Sequence, residues 1–333
     1  MDRQKFIQSS TTTRVIEKRL LDKVQLDRLI EASDINEALN FLSDSVYQPY
    51  INKLERPEDY EKALASELKN SYDYMYSISP MHEVIDLMAY KYDYHNLKVM
   101  LKENLYNYNA DGMYIDLGKA NVNELKVKLN SGEKIMADDI FSGSIREAVD
   151  KEFTKDDSQD IDLFIDTKYF EEMMRLAKEL DSEFFIQYVE DLIDFTNIRT
   201  LLRYKRKGDS PEYLSKLIID GGTISKDKYK DYLHQEIDEN SNLFKSSRIY
   251  YNLKDAMAEY GNTGNLSKFE KQMDDYLMEK AKEAKKITYG PEVLFAYLVA
   301  KETEIKNLRI IFISKLNGLS SEFIRERLRD SYV

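Results

Sequence analysis

Leu294, Leu298, Ile305, Leu308 and Phe312 recur at spacings of four and three residues, with Lys301 taking one place in the seam. That period puts them on one face of an α-helix. Gly290-Pro291-Glu292 supplies a start, because proline suits the first helical position and an acid suits the positive end of the helix dipole. Gly318 supplies the stop. The pattern predicts a helix of about 26 residues, roughly 39 Å long. Segments 12–32 (Val15, Ile16, Leu20, Val24, Leu29), 35–46 (Ile35, Leu39, Leu42) and 81–104 (Val84, Leu87, Leu97, Leu101) carry similar helical stripes. Residues 160–206 read as helix throughout, with a break near Asp181-Ser182. Turns are expected at Asp111-Gly112, Ser131-Gly132, Asp220-Gly221-Gly222 and Gly261-Asn262-Thr263-Gly264. The stretch 105–120 is irregular, and Met113 to Leu117 is the one candidate for a short strand.

Composition agrees with the helical pattern. Eleven glycines and five prolines in 333 residues leave little material for tight turns, which favours long helices with few connections. Twenty-five tyrosines and 14 phenylalanines provide bulky core residues without any tryptophan. The fold class expected is all-α, in two or three units. The absence of cysteine excludes disulfide frameworks, thiolate zinc sites and thiol nucleophiles. Met1-Asp2-Arg3-Gln4-Lys5 opens no apolar run, and the longest such run, Val293 to Ala300, is eight residues. A soluble intracellular chain without a signal peptide or membrane insertion is therefore expected.

Each motif that resembles a chemical site lacks a required part. Gly118-Lys119-Ala120 approaches a phosphate loop, but no hydroxyl follows the lysine and Gly112 is one residue too far upstream. His82-Glu83-Val84-Ile85-Asp86 has aspartate where a zinc protease motif needs its second histidine, and the chain holds three histidines in all. Asp156, Asp157, Asp160 and Asp162 fit neither calcium-loop register, lacking the sixth-position glycine and twelfth-position glutamate, and read as acids at a helix start. Lys280, Lys282, Lys285 and Lys286 alternate with acids as a solvated face does. Arg199, Arg203 and Arg206 form a basic stripe on one helix and are a possible protein interface. A net charge of −12 and the lack of any reader module argue against nucleic acid.

A repeat is the strongest feature. Tyr92-Asp93-Tyr94-His95-Asn96-Leu97-Lys98 matches Ile193-Asp194-Phe195-Thr196-Asn197-Ile198-Arg199 and Thr303-Glu304-Ile305-Lys306-Asn307-Leu308-Arg309. The shared pattern is an acid, two residues, asparagine, leucine or isoleucine, then a base. Composition alone yields on the order of a tenth of a copy, so three copies mark a common origin. Met100, Leu201 and Ile311 agree downstream, as do Leu101, Leu202 and Phe312. Lys205/Lys315 and Gly208/Gly318 match between the last two copies. On a helix the asparagine and the apolar residues share one face, which carries Asp93 and Asn96, Asp194 and Asn197, and Glu304 and Asn307 along a buried stripe. A buried acid needs hydrogen bonds. Tyrosine hydroxyls, arginines or free backbone N–H groups are the available donors. The expected role is structural: anchoring helices against one another.

These residues resemble the C subunit of bacterial and archaeal V-type rotary ATPases, related to the d subunit of eukaryotic vacuolar ATPases. The resemblance is strongest from Tyr289-Gly290-Pro291-Glu292 through Ala300-Lys301-Glu302-Thr303-Glu304-Ile305-Lys306-Asn307-Leu308-Arg309-Ile310 to Lys315-Leu316-Asn317-Gly318. Asp194 to Arg206, Asp93 to Lys98 and Arg14 to Leu29 agree with it too, so it spans essentially the whole chain. It implies three helical lobes in a pseudo-threefold funnel with a central cavity. The funnel would take the foot of the central shaft and sit on the membrane proteolipid ring at the cytoplasmic face. It implies torque transmission for coupled ATP turnover and H+ or Na+ transport, with no cofactor, metal or active site of its own. Repeats are expected at 1–110, 111–208 and 209–333. The alternative is a free-standing helical scaffold that binds a protein or peptide in its groove.

Overall fold

Gly290 has a φ of +155°, and a Cβ there would lie 2.2 Å from the guanidinium of Arg3 and 2.5 Å from the Glu292 carboxylate. Only glycine permits that approach. The main chain of Gly290 is held on both sides by Ser10 Oγ, which donates to its carbonyl (3.3 Å) and accepts from its N–H (3.1 Å). Arg3 clamps Glu292 with bonds of 2.8 and 2.7 Å. The predicted start is thus a built junction, and the helix it opens runs Pro291–Leu316, 26 residues, with Gly318 left-handed just beyond at φ +65°.

The computed structural model describes residues 2–131, 143–144, 146–148, 151, 153, 158–207, 211–236 and 244–333, and no strand occurs among them. The chain is all-α there. Its α-helices in order are α1 (Ile7–Glu17), α2 (Lys23–Glu31), α3 (Ile35–Leu42), α4 (Gln48–Ile51), α5 (Tyr60–Ile78), α6 (Glu83–Tyr106) and α7 (Val122–Ser131). They continue with α8 (Ser158–Glu179), α9 (Glu183–Lys207), α10 (Pro211–Leu217), α11 (Lys226–Leu233), α12 (Tyr250–Thr263), α13 (Ser267–Glu283), α14 (Pro291–Leu316) and α15 (Ser321–Arg327).

Three local expectations are corrected. The stripe over 12–32 is two helices rather than one, because Asp22 and Gln25 form a reciprocal capping box that starts α2 afresh; Val15 and Val24 are consequently exposed. The Gly261–Gly264 turn begins only at Gly264, since α12 runs on through Thr263. Met113 to Leu117 is not a strand: a single 3-10 turn, Asp111–Met113, leads into a loop. The break at Asp181-Ser182 holds, with Asp181 at φ +47° between α8 and α9. Gly132, Asp156, Asp157 and Gly208 lie outside the described residues.

Contacts divide the chain into two compact units. One holds the described residues 2–85 and 249–333. Its axis is α14, buried on every side from Pro291 to Lys301, with α1, α3, α5, α13 and α15 packed around it. The other holds the described residues from 86 to 236 and 244 to 248. There α9 packs against α8, α10 and α11, with Phe185, Val189, Ile193, Ile198, Leu201 and Leu202 wholly buried. Lys98 and Lys102 of α6 pair with Asp166 and Asp162 of α8.

Candidate functional site: three carboxylate–amide anchors

All six anchor residues are buried, with Glu304 the most exposed at 6%. Each of them bonds to at least one main-chain group. In the first copy Asn96 donates to the carbonyl of Ile115 (2.8 Å) and accepts its N–H (2.9 Å). Asp93 accepts the N–H groups of Lys119 (3.0 Å) and Ala120 (2.9 Å). In the second copy Asn197 holds both backbone groups of Ile219 at 2.8 Å. Asp194 accepts from Thr223 N–H (3.0 Å), Ile224 N–H (3.2 Å) and the Thr223 hydroxyl.

The third copy repeats half of this and replaces the rest. Asn307 holds the N–H (2.8 Å) and carbonyl (2.9 Å) of Arg329. Glu304 turns instead to the start of the chain, accepting Leu21 N–H at 2.5 Å, and also takes the Tyr47 hydroxyl and the Lys301 ammonium, both at 2.7 Å. In every copy the residue that gives its N–H to the acid is followed by one polar residue and then a helix. Leu21 precedes Asp22 and α2, Ala120 precedes Asn121 and α7, and Ile224 precedes Ser225 and α11. Leu26, Leu125 and Tyr229, at the same register in those helices, are all buried.

The shared lysines complete the pattern. Lys205 donates to the carbonyls of Tyr232 and Leu233 at the end of α11 (3.1 and 2.6 Å). Lys315 donates to those of Ile30 and Ala32 at the end of α2. Each thus meets the negative end of a helix dipole. The repeat marked these lysines, but nothing local named their targets.

Two glycines are dictated by the acids. A Cβ at Gly118 would sit 2.0 Å from Asp93 Oδ1, and one at Gly222 would sit 2.2 Å from Asp194 Oδ1. This accounts for Gly118-Lys119-Ala120: the loop does bind an anion through its backbone, but the anion is the chain's own Asp93. Lys119 reaches on to the buried Asp86, 2.9 Å away. Burial pushes the Asp93 carboxyl up to about 7, and its two N–H bonds pull the other way. Burial likewise raises Asp194 against its bonds to Thr223 and Ile224.

Two participants escaped the sequence pattern. Lys301 is 1% exposed and bridges Glu304 to Glu67 of α5, 3.3 Å away. Burial works against its charge, but Glu304, Tyr297 and Glu67 hold the ammonium above its ordinary range. Burial raises the Glu67 carboxyl. Glu67 falls between Leu64 and Leu68 on the apolar stripe of α5, and an acid and a base on two buried stripes is the clue that was available. Of the basic stripe, Arg199 is half-buried while Arg203 and Arg206 are exposed. Arg203 lines a depression of about 300 Å3 with Asp162, Asp166 and Tyr213.

No group of three or more metal-ligating side chains occurs among the described residues. No helix among them is long and apolar enough to cross a membrane. His95 has Nε2 3.0 Å from the Met113 carbonyl, and His82 packs edge-on against Tyr76. What the anchors do chemically is hold main chain: each fixes the loop that returns to its long helix.

Comparison with known proteins agrees over nearly the whole length. The family described as ATP synthase (C/AC39) subunit matches residues 9–327. The chain is 28% identical over 318 residues to the C subunit of the V-type sodium ATPase of Enterococcus hirae, covering 95% of each. It is 28% identical over 331 residues to the C subunit of the A-type ATP synthase of Methanocaldococcus jannaschii, covering 94% of this chain and 83% of the relative. With its central helix, its buried anchors and a match of this extent, the chain belongs to the ATP synthase (C/AC39) subunit family, that of the C subunit of V/A-type ATPases.

Proposed function

We propose that the protein is a non-catalytic central-rotor subunit of a V/A-type ATPase, standing between the central shaft and the membrane proteolipid ring and passing torque between them. The observation that carries this is the family match across residues 9–327. Relatives named as subunits of a sodium ATPase and of ATP synthases support an ion-coupled machine without deciding its ion. A torque link needs stiffness, not a reactive group. Six buried acid and amide side chains gripping the main chain supply stiffness.

The same anchors support a three-repeat body closing as a pseudo-threefold funnel around a cavity. Each repeat is best drawn as a long helix, a returning loop and the helix after it. The first two reach past residues 110 and 208 to include α7 and α11. The third is α14, completed by Leu21 and α2. On this reading Arg199, Arg203 and Arg206 face a neighbouring subunit, and the complex keeps the protein at the cytoplasmic face of the membrane.

A tagged pull-down from gently solubilised membranes, read by mass spectrometry, tests the proposal. Co-recovery of V-type catalytic subunits, shaft subunits and proteolipid is expected. Recovery of the chain alone, or with unrelated soluble partners, overturns it in favour of a free-standing scaffold.

A further inference from the structure

The third anchor differs from the others in one respect with a chemical consequence. Its acid is a glutamate, one methylene longer, and the loop position taken by Gly118 and Gly222 in the other copies is taken by Arg19. In those copies the loop main chain lies against the carboxylate. Here the longer acid takes the N–H of Leu21 and pairs with Lys301. Lys301 also lines a cleft of about 420 Å3 between α1, α4, α5, α14 and the segment before α4, walled by Tyr50, Tyr74 and Tyr297.

The cleft's floor is charged. Glu304, behind it, is fully engaged by Leu21, Tyr47 and Lys301. Glu67 opens onto the cleft, is 4% exposed, and uses only Oε1, towards Lys301 (3.3 Å) and the Ser71 hydroxyl (3.4 Å). Its Oε2 has no partner among the described residues. Two carboxylates share one ammonium, and Glu67 Oε2 is left as an open acceptor in a tyrosine-lined cleft. A planar or compact cation is the complement of such a site: it pairs with the free carboxylate oxygen and lies against aromatic faces. Arg19 stands exposed at the rim with no ion partner among the described residues.

We propose that this cleft is an anchor pocket for a basic side chain, arginine or lysine, of a neighbouring subunit, which enters to pair with Glu67. The inference rests on the reading of the chain as one subunit of a larger complex. It adds the recognition chemistry of one contact.

The test uses the full-length protein with carbon-13 labelled isoleucine methyl groups, because Ile16 lines the cleft and reports from inside it. N-acetyl-arginine methylamide is titrated in at pH 7.5 and followed by NMR. A saturable shift of the Ile16 methyl is expected in the millimolar range. The neutral isostere, N-acetyl-citrulline methylamide, should bind at least tenfold more weakly. That comparison needs no variant. Glu67→Gln should weaken the arginine probe at least tenfold, whereas Glu67→Asp, which keeps the charge, should restore most of it. Absence of a saturable shift, or equal binding of the citrulline probe, overturns the proposal. So does a shift seen only in Arg19→Ala, which would mean that the chain's own arginine fills the pocket. None of these outcomes bears on the pull-down, so the two readings fail separately.

Discussion

Asn197 and Ile219 form a closed ring of two hydrogen bonds: the amide of one side chain meets both backbone groups of the other residue, each at 2.8 Å. Asn96 with Ile115 and Asn307 with Arg329 do the same. An amide is the side chain suited to this, since it offers a donor and an acceptor side by side.

Asn197→Ala therefore strands a buried N–H and a buried carbonyl at once. Urea unfolding should show a loss of about 2–4 kcal/mol. Asn197→Asp should recover little of it, because a carboxylate accepts the N–H but repels the carbonyl.

Lys301→Met leaves Glu67 and Glu304 buried without their shared cation. A loss of about 3–5 kcal/mol is expected. Adding Glu67→Gln to Lys301→Met should give back part of that loss. A double-mutant cycle measures the coupling, and strict additivity would contradict the ion-pair account.

The Asp93 carboxyl, at about 7 in the folded chain, lies above the usual range near 4. Between those values the folded state holds a proton that the unfolded chain has released. Stability should therefore fall as pH rises through that window. Relative to Asp93→Asn, which has no such titration, the wild-type chain should lose on the order of 2–4 kcal/mol between pH 4.5 and 7.5. Parallel pH profiles for the two proteins would be the contrary result.

Gly118→Ala and Gly222→Ala each place a methyl group against a carboxylate that its own bonds hold in place. Each should cost about 1–3 kcal/mol in chemical denaturation. Arg19→Ala, at the matching position beside the longer acid, should change stability by less than about 0.5 kcal/mol.

Some of this was legible in the sequence for plain reasons. The ends of α14 are written locally, by Gly290-Pro291-Glu292 and Gly318, and the anchors stood out because the chain states them three times. What the anchors hold was not legible. Ile115, Ile219 and Arg329 share no side-chain chemistry, and a side chain that grips the backbone leaves no mark on the residue gripped. The same fact explains the false strand at Met113 to Leu117: Asn96 pairs with Ile115 where a neighbouring strand would have done so. The stripe over 12–32 looked continuous because its apolar period does continue. Asp22 and Gln25 nonetheless cap a fresh start for α2, and the tertiary bond from Leu21 to Glu304 holds the main chain at that break.

That bond also bears on the order of events during synthesis. Residues 20–32 leave the ribosome early, but the helix that completes them, α14, emerges only after every described residue of the other unit has been made. At typical elongation rates the wait is on the order of tens of seconds. The other unit has the opportunity to fold as the chain grows, while α1, α3 and α5 wait for α14 and have only the other early helices to pack against. The part of the chain made first is thus among the last to be finished.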